Sequence, residues 1–168
     1  EMMGGILPVF SKQIRCLVIE NNGERENFEW VSTTILKSKD IAIEYGFLNL
    51  EKTSYKERIA ALHFRFIGGG GLLVGLKHNG FYRLPEEIPA IWVMAPTHEG
   101  TGLGFAVNGN FQVDAGRTRL SSNFKLNKDE GERLGEHLAK ALGALFSKAE
   151  EDWEGFKAQL QLEKDLHK

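Results

Sequence analysis

Two arginines that follow a run of small residues are the side chains of this sequence best suited to chemistry. Residues 114–116 (Asp-Ala-Gly) precede Arg117, and Arg119 lies two positions further on. A loop of small residues can bring a guanidinium close to an anion, and the planar fork of arginine fits phosphate oxygens better than the point charge of lysine. The residues themselves therefore make Arg117 a candidate for binding a phosphate group. The ordinary alternative is a surface arginine paired with Asp114 or Glu99.

The glycine-rich stretch 99–107 (EGTGLGFAV) is a second candidate, because its backbone can approach a phosphate. If the chain contacts nucleotide itself, the predicted cofactor-binding residues are Gly100, Thr101, Gly102 and Asn108. The stretch resembles the second glycine box of histidine-kinase-type ATP-binding domains, in which such glycines precede a helix. Those domains also need an upstream Glu and Asn for magnesium and an Asp-x-Gly-x-Gly for adenine. The preceding sequence has neither, so the box is incomplete as a nucleotide pocket of its own.

Other chemistries lack their residues in this sequence. No Gly-x-Ser-x-Gly, His-Glu-x-x-His or cysteine pair occurs, so neither a serine nucleophile nor a metal site is expected. The four glycines of residues 68–71 are not followed by the Lys-Ser or Lys-Thr of a P-loop, and they predict a flexible hairpin or loop. Cys16, within an apolar run, is predicted to be a buried structural thiol. Five scattered histidines show no ligand spacing: His63, His78, His98, His137 and His167.

Residues 90–120 (AIWVMAPTHEGTGLGFAVNGNFQVDAGRTRL) resemble a segment of sacsin-type proteins, which carry an ATP-binding region of the heat shock protein 90 kind. The shared pattern is an aromatic-rich strand, a proline, Thr-Gly-Leu, Asn-Gly-x-Phe and a small-residue turn that ends in arginine. Residues 143–156 (GALFSKAEEDWEGF) are similar to a helical stretch of the heat shock protein 90 middle domain. The resemblance implies that Arg117 reaches the γ-phosphate of ATP held by a preceding domain. Thr118 stands where the family has glutamate, and Arg119 competes for the role.

The same resemblance implies cofactors and partners that lie outside this chain. ATP and magnesium are expected to be bound mainly by an upstream ATP-binding domain, and a protein client and a homodimer of the parent protein are further implied partners. The chain begins with Glu1, and we expect a cytoplasmic, chaperone-like fragment that does not hydrolyse ATP alone. Two alternatives stay open: a non-catalytic protein-interaction module of the same fold, or a degenerate nucleotide-binding domain that uses Gly100–Gly104.

Length and composition limit the scaffold that must position these residues. The chain has 168 residues, of which 42% are hydrophobic and 26% charged, and its net charge is -2. These values are typical of one folded domain, and they give no strong signal for nucleic-acid binding by a basic face. The longest apolar stretches are well under the roughly 18 residues that cross a bilayer, so no membrane partner is expected. The 19 glycines exceed the number of about 12 expected from average usage.

Hydrophobic periodicity predicts an α+β fold. The first two-thirds indicate strands, with a hairpin turn at 21–23, runs at 41–50 and 58–67, and a central strand at 90–95. Asn127 with Glu130 is a plausible capping box for a helix, and a second helix is expected after Ser147. We therefore predict a mixed or antiparallel sheet from residues 1–126, with the helical segment 127–168 packed on one face, together forming one domain. The apolar face of the first helix consists of Leu134, Leu138, Ala141, Leu142 and Leu145.

Overall fold

The computed structural model describes residues 3–11, 13–53, 55–77, 80–86, 88–100, 102–116, 118–122 and 124–162. Within these residues one sheet is flanked by helices, which confirms the predicted α+β class. The helices are α1 (Met3–Phe10), α2 (Phe124–Glu151) and α3 (Trp153–Gln159). The strands are β1 (Cys16–Asn21), β2 (Glu24–Lys37), β3 (Ile41–Lys52), β4 (Tyr55–Phe66), β5 (Gly71–Lys77), β6 (Gly80–Tyr82), β7 (Ile91–Val93), β8 (Ala95–Pro96) and β9 (Phe105–Asn108). None of the helices in the described ranges has a segment long and apolar enough to cross a membrane.

Strands β1 to β5 form an antiparallel meander in which each strand pairs with its neighbours along the chain. The first hairpin closes at Asn22 and Gly23, whose φ angles of 51° and 84° suit a type I′ turn. The predicted turn at 21–23 is thereby confirmed. β9 pairs antiparallel with β5, and β7 lies parallel to β9 on its outer side. The loop region 97–120, which holds most of the predicted site, therefore belongs to the β7–β9 end of the sheet.

The two faces of the sheet carry separate hydrophobic cores. Helices α2 and α3 cover one face, where the predicted apolar stripe of α2 packs in a cluster with side chains of β3 and β4. Leu134, Ala141 and Leu145 of that stripe are at most 6% exposed. Helix α1, which the sequence did not indicate, contributes Ile6 and Val9 to the cluster on the other face. Since an isolated helix of this length is unstable in water, its packing on the sheet must stabilise α1.

The predicted start of the long helix is wrong. α2 begins at Phe124, so Asn127 lies inside its first turns. The Asn127 side chain accepts a hydrogen bond from the backbone of Gln112 (2.7 Å) and donates one to the same residue (3.1 Å). Glu130 binds the backbone N–H of Asn110 at 2.7 Å. The two side chains that suggested a cap thus fasten the helix to the preceding segment, because long-range acceptors and donors satisfy them instead of the helix N-terminus.

Two further predictions of position are also wrong. The strand predicted at 90–95 covers only Ile91–Val93, and it is next to last in the strand order, not central. Its apolar residues divide between the two faces: Trp92, which is completely buried, belongs to the α1-side cluster, and Ile91 and Val93 pack against the cluster under α2 and α3. Cys16 is exposed, because β1 is an edge strand on which every residue except Leu17 is exposed. Its thiol donates a hydrogen bond of 2.9 Å to the side-chain oxygen of Asn27.

Candidate functional site

The glycine-rich stretch forms an irregular turn between β8 and β9. Gly100, Gly102 and Gly104 have φ angles of 69°, 79° and 83°, values that side chains with a Cβ rarely adopt. The carbonyl of Gly102 accepts a hydrogen bond from the guanidinium of Arg83, and the carbonyl of Gly104 accepts one from the N–H of Leu84 at 2.8 Å. These bonds tie the turn to the segment that follows β6. Thr101, one of the predicted cofactor-binding residues, lies outside the described residues.

The turn begins at a buried threonine that fixes its position on the sheet. Thr97 is 1% exposed, and its backbone N–H and hydroxyl both donate to the carbonyl of Ile91, at 3.1 Å and 2.8 Å. The same hydroxyl accepts a hydrogen bond from the N–H of Glu99 at 3.2 Å. The first residues of the turn are thus attached to β7 and cannot shift independently of that strand.

The arginine loop, residues 114–119, is closed by its own first residue. The carboxylate of Asp114 accepts hydrogen bonds from the N–H of Thr118 (2.9 Å) and of Arg119 (3.3 Å). These amide bonds, that of Thr118 first, hold the pKa of Asp114 below its usual value. The N–H of Asp114 donates to the carbonyl of Arg119 at 2.9 Å, above an antiparallel bridge between Val113 and Leu120. These bonds hold Asp114 and Arg119 together at the base of the loop, with Ala115, Gly116 and Thr118 between them.

The structure brings the glycine turn and the arginine loop together. The N–H of His98 donates to the carbonyl of Thr118 at 2.7 Å, and the N–H of Leu120 donates to the carboxylate of Glu99 at 3.3 Å. Asp114 and Glu99 thus both accept hydrogen bonds from backbone amides. The alternative of an ion pair between Arg117 and either acid concerns a residue outside the described ranges. Nothing in the sequence pattern alone showed that these two segments touch.

Of the two arginines in the loop, the structure describes only Arg119. Arg119 is exposed, and its guanidinium makes no hydrogen bond or ion pair with any of the residues the structure describes. Its charge contributes to the lowered pKa of Asp114, although less than the backbone amides do. Arg117 lies outside the described residues. The loop thus carries at least one guanidinium that is available to an anion from another molecule or domain.

Asn108, the remaining predicted nucleotide contact, lies elsewhere. It ends β9, where it pairs with Gly71 of β5 and with Trp92 of β7. Its neighbours are the glycines of the β4–β5 turn, because a Cβ on Gly70 would lie 2.7 Å from the carbonyl of Asn108. Of residues 68–71, predicted to be a flexible hairpin or loop, the first three form the turn that joins β4 to β5, and Gly71 is the first residue of β5. Asn108 and the glycine turn 100–104 therefore face different surroundings.

The glycine turn leads into a strand and not into a helix. Gly104 is followed directly by β9, Phe105–Asn108. A glycine box that precedes a helix can offer a phosphate both backbone N–H groups and the positive end of the helix dipole. Here the residues that follow the turn form no helix, so they supply no helix dipole. The arrangement suits the support of a neighbouring arginine better than the binding of a triphosphate.

Sequence reasoning missed a polar group buried on the α1 side of the sheet. His63 is 3% exposed, and its Nδ1 lies 3.4 Å from a carboxylate oxygen of Glu44. The sequence gives a partial signal, since each of these residues interrupts a short, mostly apolar run, at residues 41–48 and 59–64. No group of three or more His, Cys, Asp or Glu side chains in the described part of the chain is arranged to hold a metal ion.

Comparison with protein-family models, curated proteins and solved structures found no match to this chain. Its function is therefore inferred from the residues and their geometry.

Proposed function

We propose that this chain is the ATPase-coupling domain of a sacsin-like or heat shock protein 90-like GHKL ATPase. In this proposal the arginine loop supplies Arg117 or Arg119 to the γ-phosphate of ATP, which a preceding domain holds together with magnesium. The observation that carries the proposal is the pair of hydrogen bonds, His98 to Thr118 and Leu120 to Glu99, that holds the arginine loop against the glycine turn. Two segments that the resemblance treats as one unit are thus adjacent in space.

The geometry suits a guanidinium that acts on a neighbouring domain. Arg119 is exposed at the end of a loop whose backbone Asp114 holds in place, so little ordering is required when an anion approaches. An arginine that meets the γ-phosphate only when two domains close stabilises charge that develops in the transition state. In other phosphoryl-transfer systems such an arginine accelerates the reaction by about 10³-fold or more. The chain alone would then lack ATPase activity, because the phosphates are bound elsewhere.

The test is the ATPase activity of the parent protein, in which an ATP-binding domain precedes this one. We expect either Arg117→Ala or Arg119→Ala to lower kcat by about 10³-fold while ATP affinity changes little. The corresponding Arg→Lys variant should stay impaired, since lysine keeps the charge but not the planar fork. Arg25→Ala is the matched control, because Arg25 is an exposed arginine on β2, within the β1–β2 hairpin. Unchanged turnover in both loop variants would reject the arginine role.

The isolated chain provides a second, independent test. Calorimetric titration with ATP and magnesium should show no tight binding, because the glycine turn has no helix behind it. Tight binding that Gly102→Val abolishes would instead favour a nucleotide site at Gly100–Gly104. No binding by the chain together with no loop effect in the parent protein would favour a protein-interaction module.

A further inference from the structure

The outer edge of β1 has no strand partner among the described residues. β1 is the first strand in the sheet order, and it pairs with β2 on its inner side. An unpaired edge offers a row of backbone N–H and C=O groups to which a further strand can bind. Proteins usually protect such an edge with lysine, proline or a β-bulge. Residues 13–21 contain neither lysine nor proline, and the register of β1 with β2 is unbroken, so β1 lacks these protections.

The side chains of this edge are apolar as well as exposed. Val18 is 43% exposed and Ile19 is 42% exposed. Leu17 pairs with Phe28, whose ring lies against α1, since a Cβ on Gly4 would be 2.9 Å from it. Because side chains alternate along a strand, Leu17 and Ile19 share the α1 face and Val18 lies on the other. Apolar surface is therefore exposed on both faces of one edge.

The β1–β2 hairpin determines which backbone groups face outward. Its two-residue turn makes Asn21 and Glu24 the closing pair, whose backbone groups face each other. Successive residues of a strand direct their backbone groups to alternate sides. The N–H and C=O of Cys16, Val18 and Glu20 therefore point away from β2. These residues offer donors and acceptors at even intervals along the open edge.

The order of side chains along β1 is complementary to itself. In an antiparallel pair of β1 strands related by a two-fold axis, opposing residues lie on the same face of the sheet. A pair centred on Val18 places Leu17 opposite Ile19 of the second copy, and Cys16 opposite Glu20. Symmetry repeats each of these contacts. Exposed apolar side chains then oppose apolar ones, and no carboxylate meets another, which are favourable cross-strand pairs.

The neighbouring registers match less well. A pair centred on Ile19 would place Val18 opposite Glu20. A pair centred on Leu17 would place Ile19 opposite Arg15. Each of these sets an apolar side chain against a charged one, so that less apolar surface is buried and part of the charge is desolvated. The side-chain order therefore favours the register centred on Val18.

We propose that two copies of this chain associate through β1, as an antiparallel pair centred on Val18 that continues the sheet from one copy into the other. The backbone groups of Cys16, Val18 and Glu20 exchange hydrogen bonds with those of the second copy. An interface of two six-residue strands is small, so the dimer is weak and its population depends on concentration. β1 and the β7–β9 end of the sheet, which carries the arginine loop, are at opposite ends of the strand order. The association is therefore independent of the proposed arginine role.

Disulfide formation between two copies tests the register. Val18→Cys in a Cys16→Ser background places the two thiols at the two-fold axis, where the Cα atoms of opposing residues are about 5.5 Å apart, within the range of a disulfide. The wild-type chain is the matched control, because Cys16 is its one cysteine and is exposed on the same strand. In the proposed dimer the two Cys16 residues are about 14 Å apart, too far for a disulfide. With oxidised glutathione, we expect the Val18→Cys chain to form covalent dimer at least tenfold faster than the wild type.

Amide hydrogen exchange of the wild-type chain tests the pairing without a cross-link. At high protein concentration the amide protons of Cys16, Val18 and Glu20 should be protected, and dilution should remove this protection. The amide protons of Leu17 and Ile19, which point toward β2, should stay protected at both concentrations. Equal behaviour of the two sets would show that β1 gains no partner.

Sedimentation velocity measures the association itself. The wild type should show a reversible monomer–dimer equilibrium, and Val18→Lys, which brings two like charges together at the centre of the pair, should weaken it at least tenfold. Val31→Lys is the matched control, because Val31 is a 47% exposed valine of β2, outside the proposed interface. A chain that stays monomeric up to millimolar concentration, equal weakening by the two lysine variants, or equal rates of covalent dimer formation would overturn the proposal.

Discussion

Replacement of Glu130 by glutamine should destabilise the protein more than any other single change of a charged side chain on α2. The Glu130 carboxylate is 9% exposed and accepts three hydrogen bonds. One comes from the N–H of Asn110 at 2.7 Å, and two come from the guanidinium of Arg133, each at 2.8 Å. Arg133 also donates to the carbonyl of Gly69 at 3.0 Å. A single carboxylate thus connects α2, the segment after β9 and the β4–β5 turn.

The magnitude follows from these contacts. The amide oxygen of glutamine can still accept a hydrogen bond from the N–H of Asn110. The amide is uncharged, and its NH₂ group cannot accept a hydrogen bond from the guanidinium of Arg133. Hydrogen bonds to charged groups each contribute about 1.5–3 kcal/mol. Because Arg133 is 30% exposed, water replaces part of the loss, and we expect Glu130→Gln to lower the free energy of unfolding by about 2 kcal/mol. Glu132→Gln, which breaks an exposed pair with Lys128 at 3.5 Å, is the matched control and should cost under about 0.5 kcal/mol.

The pH dependence provides an independent check of the same reasoning. Hydrogen bonding from Arg133, opposed by burial, lowers the pKa of Glu130 in the folded state below the ordinary value of 4.5. The stabilisation by this carboxylate is therefore complete above the unfolded-state pKa and is lost as the pH falls through the folded-state pKa. Urea unfolding at a series of pH values should show a wild-type advantage over Glu130→Gln that is constant near neutrality and shrinks in acid. A difference no larger than that of Glu132→Gln, or one that does not change with pH, would refute the assigned role.

Three further stability predictions concern a turn, the interior of α2 and the cap of α3. Gly70→Ala should lower the free energy of unfolding by more than about 1 kcal/mol, because Gly70 has a φ of 87° and a Cβ would lie 2.7 Å from the carbonyl of Asn108. Gly131→Ala, at a position on α2 with open space for a Cβ, should raise it by up to about 1 kcal/mol, and thermal melts that rank the two alike would contradict this. Asp152→Ala removes the N-cap of α3, which accepts from the N–H of Gly155 at 2.9 Å, and should cost about 1 kcal/mol. The same melts on Asp152→Asn, which keeps the capping oxygen, should show a clearly smaller loss.

The sequence predicted those elements whose signals are local. The turn at Asn22 and Gly23 requires two positive φ angles, and an Asn-Gly pair between strands favours that conformation. The apolar stripe from Leu134 to Leu145 has the period of a helix, and its burial against the sheet follows from that period. Both features depend on residues within a few positions of each other, so no knowledge of the tertiary structure was needed.

Features that depend on distant residues were not predictable in this way. Asn127 and Glu130 have the spacing of a capping box. Both side chains instead accept hydrogen bonds from a distant backbone segment, Glu130 from the N–H of Asn110 and Asn127 from the N–H of Gln112. Helix α1 has two glycines and a proline in eight residues, and only its packing on the sheet makes it helical. The contact between the glycine turn and the arginine loop joins positions about 20 residues apart through backbone groups, for which side-chain patterns give no signal.

The strand order determines how the sheet can open without unfolding. Strands β1 to β5 are joined by short turns, so each pairing closes a small loop at low entropic cost. β9 returns to β5 only after the chain between residues 77 and 105, and it holds β7 through the pairs Ile91–Val107 and Trp92–Asn108. We expect hydrogen exchange to detect a sub-global opening in which β7–β9 detaches while the meander stays protected. A neighbouring domain that moves the arginine loop would then work against the free energy of this local opening, and not against the global stability of the domain.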